Sequence, residues 1–308
     1  MSFYTPLRYP GGKGQLASWL ATVIEHNDLT GGVYVEPYAG GCGAALQLLL
    51  TGKVGRIIIN DADPAIYAFW WAVLNKSKEL QERILHSEVT LAAREEQRAV
   101  LESPSQYSAL DLAFAAFFVN RTSRSGILSG GVIGGKDQSG KYKIDARFNR
   151  EDLASRIALI HSRRDDIDLH GVDALRLINS IRSKLRKRSL IYLDPPYYVK
   201  GAQLYRNYYS PSDHEAIASV IKQIQTPWLL TYDDCQPIKE IYKDCHGLTY
   251  SPYYSTHVSR EHASEALFYG NMTLPSAPYL KRGSPSMPQK NVIHIRARQK
   301  VNPAALQR

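Results

Sequence analysis

The chain reads as an α/β protein: an open sheet of the nucleotide-binding kind, interrupted by a mostly helical insertion. Three observations predict this. Over residues 33–61 a strand, a glycine-rich turn, a helix, a second strand and a closing acid follow in order, which is the order of a βαβ unit. Further on, the apolar run Leu190-Ile191-Tyr192-Leu193 ends in Asp194-Pro195-Pro196-Tyr197, a stiff polar lip at the carboxyl end of a buried strand. Between them, residues 120–149 turn rich in glycine and basic side chains and break the pattern.

The elements follow from hydrophobic spacing. Leu16, Trp19, Leu20, Val23 and Ile24 recur at helical intervals, so residues 16–26 form a helix. Residues 33–36 and 57–60 are strands, with the turn 37–43 and a helix over 44–50 between them. Residues 64–119 are rich in Ala, Leu, Phe and Glu and read as helices broken at Pro104. Gln138-Ser139-Gly140 suggests a hairpin turn within the basic loop. A strand over 167–172 closes on Asp173, and a helix spans 174–186. A tyrosine-rich loop (197–211), a helix (212–224) and strands at 228–232 and 266–269 complete the sheet. Residues 292–295 could add a short strand, and 274–289 read as a linker. The domain expectation is a catalytic unit of residues 1–74 and 161–272, an insertion at 75–160, and a basic, flexible tail from 273 to 308.

Composition narrows the class. A 44% hydrophobic and 22% charged chain of 308 residues is globular in character. It has no run of 18 apolar residues and no secretory leader pattern, so a cytoplasmic protein is expected. Cys42, Cys235 and Cys245 form no CxxC pair, which speaks against a structural zinc; no metal is expected. The net charge of +9 suits a polyanionic partner. Much of that excess lies after Glu265, where no acid follows and Lys281, Arg282, Lys290, Arg296, Arg298, Lys300 and Arg308 do.

The lip has a definite chemistry. An aromatic amine is a poor nucleophile because its lone pair is delocalised into the ring. If both amino hydrogens donate to fixed acceptors, the nitrogen can pyramidalise. The Asp194 carboxylate and the Pro195 carbonyl are candidate acceptors, Pro196 stiffens the lip, and Tyr197 can stack on a base, a contact worth about 1–3 kcal/mol. The gain comes from positioning and fixed dipoles. Taken alone, the stretch also fits a strand-ending turn with a structural Asp.

A second constellation suits a cofactor. Gly40, Gly41 and Gly43 let a backbone approach a ligand, and the helix that follows favours negative charge. No Lys-Ser/Thr follows, so this is not a P-loop, and it is not GxGxxG, which disfavours a dinucleotide enzyme. Glu36 can hold a cationic amino group, and Asp61, 18 residues beyond Gly43, stands near the spacing of a ribose-binding acid. An acid for an amine and an acid for a ribose suit S-adenosylmethionine better than NAD. Each acid alone could equally be a strand-end residue, and Leu7-Arg8-Tyr9-Pro10-Gly11-Gly12-Lys13 alone is an ordinary turn before a helix.

Three segments in this order resemble the Dam-like, D12 class of DNA adenine N6-methyltransferases. Residues 8–13 look like its N-terminal cofactor motif, and residues 34–43 match its Phe-Val-Glu-Pro-Phe-type motif. Residues 191–197 are similar to its catalytic motif, and Phe118-Val119-Asn120-Arg121 with Ser125-Gly126 echo its target-recognition region. The resemblance spans about residues 5–270 and implies an S-adenosylmethionine-binding sheet with a DNA-reading insertion. It implies that Tyr9, Gly12 and Lys13 contact the cofactor. Glu36, Pro37, Tyr38, Ala39 and the glycine turn hold its methionine part, Asp61 with Ala62 its ribose, and Asp173 stands near its adenine. Asp194, Pro195 and Tyr197 hold a flipped adenine. Cys42 departs from the small residue usual there, and the insertion matches loosely, so no target sequence carries over.

Flipping a base costs a few kcal/mol. Arg121, Arg124, Lys136, Lys141, Lys143 and Arg147, with Asn120 and Ser125, are candidate double-stranded DNA contacts. Tyr205, Tyr208 and Tyr209 are candidate wall residues. A restriction or defence partner would suit such an enzyme, and no membrane partner is expected. Two other readings stay open: an RNA base-amino methyltransferase, since such lips also serve ribosomal RNA, and a catalytically silent DNA-binding module. The Gly-Gly-Lys motif and the large insertion favour DNA.

Overall fold

Short runs of Val, Ile, Leu and Tyr build the centre of the sheet. The computed structural model describes residues 4–9, 13–185, 188–199, 209–250 and 264–279, and the backbone of 293–295. Five strands run parallel: β1 (Val33–Glu36), β2 (Arg56–Asn60), β3 (Ile167–His170), β4 (Ser189–Leu193) and β5 (Trp228–Asp233). Three more, β6 (His246–Tyr250), β7 (Glu265–Gly270) and β8 (Ile293–Ile295), are antiparallel to their neighbours. The order is β3-β2-β1-β4-β5-β7-β6-β8. β1 therefore has β2 on one side and β4 on the other. That reversal is the switch point at which open α/β sheets bind ligands, outside the carboxyl ends of the strands.

Alternation sends neighbouring strand residues to opposite faces. Tyr34, Ile57, Leu190 and Tyr192 join one apolar cluster; Val35, Ile191, Leu193 and Leu230 join the other. The first face is covered by α1 (Ala17–His26), α2 (Gly43–Leu50) and α3 (Pro64–Asn75). The helical segment continues this layer through α4 (Ser77–His86), α5 (Leu91–Glu102), α6 (Ala109–Thr122) and α7 (Arg150–His161). α6 is apolar nearly all round, with Ala113, Ala115, Ala116 and Phe117 fully buried, so it sits in the middle of the layer. A 3-10 turn, Pro104–Gln106, marks the break at Pro104. The second face carries α8 (Ala174–Ile181), α9 (Pro211–Ile221) and α10 (Gln236–Ile241).

Several expectations need correction. The helix starting at 174 ends at Ile181, because Arg182-Ser183-Lys184 offers nothing apolar to bury. α10 and β6 went unread: the first is six residues long with Pro237 in its first turn, the second a short run containing Gly247. Gln138 does not turn a strand pair. With φ +52 it folds its own amide inward, donating to the Ile133 and Gly135 carbonyls at 2.8 and 2.7 Å and accepting from the Ile144 N–H at 2.8 Å. The ladder in this loop is a single bridge, Ser123 to Val132. The start of the supposed flexible tail is bound to α1. The Trp19 indole N–H donates to the Ser276 carbonyl at 3.2 Å, and Asn27 is hydrogen-bonded to Thr273 through both side-chain atoms. The short strand expected near 292–295 is β8, paired with β6. The remaining tail, the basic residues from Lys281 to Arg308 and most of the linker, lies outside the described residues. Among the described residues no helix is long and apolar enough to cross a membrane.

Candidate active site

The lip emerges from β4, whose five residues are all buried. Asp194 follows at once, with its side chain 24% exposed. Its Oδ1 is fixed twice: Thr231 of β5 donates a hydrogen bond at 2.7 Å, and the Lys13 ammonium stands at 3.1 Å. Thr231 is itself bonded to the Tyr192 hydroxyl at 2.9 Å. Burial pushes the Asp194 carboxyl up, Lys13 pulls it back, and Glu265 pushes it up again. Burial alone would lower the Lys13 pKa, but Asp194 and Glu265 outweigh it and hold the ammonium well above the ordinary lysine value. Lys13 also lies 5.7 Å from the Tyr197 ring centroid. The segment after the lip is anchored by Asp233, which accepts from the Tyr198 and Val199 N–H groups at 2.8 and 2.9 Å.

Across the switch point, Glu36 closes β1. It is buried and accepts from the Tyr34 hydroxyl at 3.0 Å. Burial pushes its carboxyl up to about 8, against the Tyr34 and Ala45 hydrogen bonds and with help from Asp194. Among the described residues no cation pairs with it. The glycine turn runs on from it. Gly40 has φ +46, and a Cβ there would stand 2.7 Å from the Tyr9 ring, so only glycine lets Tyr9 lie on the turn. Asp61 braces the same turn, accepting from the Gly40 and Asp63 N–H groups at 2.9 Å each. Burial pushes its carboxyl up to about 7 against those bonds. The Trp70 indole N–H holds the Gly40 carbonyl at 2.9 Å.

These parts surround one cavity of about 710 Å³, within the usual range for a small-molecule site. Tyr9, Lys13, Glu36 and Pro37 line it, as do Tyr38, Ala39, Gly40, Gly41 and Gly43. So do Asp61, Ala62, Asp173, Asp194 and Pro196. Asp173 spends one oxygen capping α8, accepting from Leu175 and Arg176. Pro195 and Tyr197 stand beside the cavity rather than in its lining. Gly12 lies outside the described residues, as do Tyr205 and Tyr208. Tyr209 does line the cavity, its hydroxyl 2.9 Å from that of Tyr38.

The target-recognition candidates divide. Arg121 and Ser125 reach the cavity. Arg121 donates to the Arg147 carbonyl at 2.6 Å, and burial, then Arg8 and Arg156, lower its pKa to about 9. Arg124, Lys136, Lys141, Lys143 and Arg147 are exposed on the loop. Asn120 is a correction. It is fully buried and its amide is used up: Nδ2 donates to the Arg8 and Gly126 carbonyls at 2.7 and 2.8 Å, and Oδ1 accepts from the Arg8 N–H at 2.8 Å. It holds the N-terminal segment at Arg8 to the loop at Gly126, and its full burial keeps it from DNA. Sequence reading missed Thr231, Arg8, Arg156 and Glu265. An acid opening the apolar run Glu265-Ala266-Leu267-Phe268 was the available signal for the last.

The profile of the D12 class N6 adenine-specific DNA methyltransferase family matches residues 9–259. The chain belongs to this family. Membership makes it a methyltransferase and implies S-adenosylmethionine as methyl donor. Among solved structures, a Legionella pneumophila protein is similar at 11% identity, with 86% of each chain covered and a TM-score of 0.34. An S-adenosylmethionine-dependent methyltransferase from Neisseria gonorrhoeae is similar at 11% identity, covering 86% of this chain and 73% of its own, with a TM-score of 0.31. A comparison with curated proteins gives no match. Among the described residues no group of three His, Cys, Asp or Glu side chains is arranged to hold a metal ion.

Proposed function

We propose that this chain is a site-specific DNA adenine N6-methyltransferase acting on an adenine flipped out of double-stranded DNA. The observation that carries the reading is the lip itself. Asp194 opens onto a cavity with one oxygen fixed by Thr231 and Lys13, across from a buried Glu36 that pairs with no cation among the described residues. The donor set fits S-adenosylmethionine. Glu36 suits its ammonium, Asp61 its ribose hydroxyls, Asp173 its adenine, and the turn at Gly40 to Gly43 the methionine chain. When bound, the cofactor supplies an electrophilic methyl group and leaves as a thioether.

The chain's own residues do the rest. Asp194 Oδ2 and the Pro195 carbonyl accept the two amino hydrogens of adenine, which frees the nitrogen lone pair. Thr231 and Lys13 keep the carboxylate from turning away, so its orientation needs no reorganisation at the moment of reaction. Tyr197 stacks on the base. The product ammonium is strongly acidic, so Asp194 or water takes its proton without a dedicated base. Residues 75–160 form the target-reading insertion. Arg8, Arg121 and Arg156 at the cavity, with Lys136, Lys141 and Arg147 on the loop, supply phosphate and base contacts. An RNA substrate and a silent binding module are the competing outcomes.

The test is expression in a bacterium that lacks adenine methylation, followed by single-molecule sequencing that detects modified bases, beside Asp194→Ala. N6-methyladenine at one recurring motif, absent in the variant, is expected. An unmarked genome together with methylated RNA would overturn the DNA reading.

A further inference from the structure

Glu265 belongs neither to the N-terminal Gly-Gly-Lys motif nor to the lip, yet it ties Lys13 of the one to Tyr197 of the other. It opens β7, opposite Asp233 of β5, and is buried at 4% exposure. Oε1 accepts from the Lys13 ammonium at 3.3 Å and from the Tyr197 hydroxyl at 3.2 Å. Oε2 accepts from the Tyr250 hydroxyl. One ammonium is thus shared between carboxylates on two different strands, and one of those carboxylates also holds the aromatic ring of the lip.

Charge counting shows what this sharing does. Lys13, Asp194 and Glu265 together carry one net negative charge when all are ionised. Without Glu265, Lys13 would face Asp194 alone. Lys13 already stands 3.1 Å from Asp194 and 3.3 Å from Glu265, so loss of the second acid would let the ammonium shift fully onto the Asp194 carboxylate. Removing the side chain would also take away one acceptor of the Tyr197 hydroxyl. We propose that Glu265 is a positioning residue: by sharing Lys13 with Asp194 and holding the Tyr197 hydroxyl, it sets where the acceptor carboxylate and the stacking ring stand. This rests on the reading that Asp194 and Tyr197 receive the target base.

The variant that isolates this role is Glu265→Gln, which keeps shape and removes charge, with Glu265→Asp as the conservative partner and Tyr250→Phe as a control that leaves the charge in place. In the full chain, Glu265→Gln should lower kcat on unmethylated duplex DNA on the order of tenfold to a hundredfold, the scale of an ångström-level misplacement. KM for S-adenosylmethionine should stay within about threefold, because the methionine and ribose subsites are elsewhere. Glu265→Asp should recover part of the rate, and Tyr250→Phe should stay within about threefold of wild type. The acid limb of the kcat profile should move to lower pH, since a negative neighbour of Asp194 has gone and Lys13 faces it alone. Among the described residues Glu36, Tyr192 and Tyr232 also face Asp194, and none of them changes in the variant. The shift can also be read without any substrate, from a 13C carboxylate titration of Asp194 in the free protein. A wild-type chain that is inactive on DNA counts against the DNA reading, and the titration then decides the role of Glu265 on its own. An Asp194 midpoint equal in wild type and Glu265→Gln would overturn the inference, as would an unchanged kcat on the substrate the wild type methylates.

Discussion

The crevice between β1 and β4 and the loop over residues 123–149 are both rich in glycine, yet they are built on opposite plans. In the crevice the backbone is fixed by buried side chains. Asp61 braces Gly40, Trp70 holds the Gly40 carbonyl, and Asn60 spans from the Pro37 carbonyl to the Val172 carbonyl, at 2.9 Å each. In the loop the backbone folds on itself around Gln138, and Lys136, Lys141 and Arg147 stand exposed. The first plan gives preorganised acceptors. The second gives adjustable cations on a short scaffold anchored by Ile144 and Phe148, the latter against Phe117 and Phe118. Chemistry needs the first, and target reading can use the second.

The largest expected effect sits in the crevice. Asp194→Ala should lower kcat by about a thousandfold or more, the loss of a preorganised polar group worth roughly 4 kcal/mol. Cofactor affinity should stay within a few-fold, because Glu36 and Asp61 are untouched. Single-turnover kinetics beside calorimetric cofactor binding would separate the two. A variant that binds cofactor tenfold worse would mean that Asp194 serves the cofactor as much as the target, which would blur the division between the regions.

The next effect falls on the joint. Asn120 fastens the N-terminal segment at Arg8 to the loop at Gly126. Asn120→Ala removes three hydrogen bonds from buried or half-buried backbone groups, at about 1 kcal/mol each. A stability loss of about 3 kcal/mol is expected by chemical denaturation. If crevice and loop are coupled through this joint, KM for DNA should rise as well. A variant destabilised but unchanged in KM would show that the loop holds its place without it.

Those two residues also mark how far the sequence could be read. Asp194 was legible because two local rules meet there: an apolar run announces a buried strand, and paired prolines end it. Glu36 and Asp61 were legible for a like reason, each being an acid at a strand end flanking a glycine turn. The βαβ pattern announced β1, α2 and β2, but the order of the strands in the sheet was not legible, because β3 and β4 reach it from more than 100 residues away. Asn120 was found but given the wrong task, because an amide before an arginine looks the same whether it faces DNA or a backbone carbonyl. Glu265, Thr231 and Arg156 were missed because their partners are far away in the chain: Lys13 is 252 residues from Glu265, and Asp194 is 37 from Thr231. The turn at Gln138 was misread because its side chain, rather than a second strand, takes the backbone partners.

A third test uses proton linkage in the crevice. Burial raises the Glu36 carboxyl to about 8 and the Asp61 carboxyl to about 7, both above their unfolded values near 4. The stability these groups contribute is therefore fully present below about pH 4 and is lost as pH rises through 7 and 8. A ligand ammonium reverses this by favouring the ionised Glu36. Cofactor binding should release a proton below about pH 8 and tighten as pH rises from 6 to 8. Glu36→Gln should weaken binding on the order of tenfold to a hundredfold, the range of a charge-assisted hydrogen bond, and should flatten that pH dependence. Calorimetry in buffers of different ionisation enthalpy reads both. Equal proton release in wild type and variant would move the ammonium subsite away from Glu36.

The smallest effect belongs to the loop, and it is the one that tests the comparison most directly. Lys136, Lys141 and Arg147 are exposed, and the latter two lie over the Tyr142 ring. Lys143 is left out of the test because its ammonium donates to the Gln138 carbonyl and helps close the loop. Replacing the other three with Ala removes charge without touching the Gln138 hub. If each meets a phosphate, the slope of log affinity against log salt should fall by about 0.9 per contact. The affinity loss at physiological salt should be several-fold, with kcat at saturating DNA within about twofold. Fluorescence anisotropy on a duplex across a salt series measures it. A slope that does not move would place the phosphate contacts at Arg8, Arg121 and Arg156 instead. The half-buried cluster at the cavity would then carry both the electrostatics and the geometry, and the loop would read shape alone.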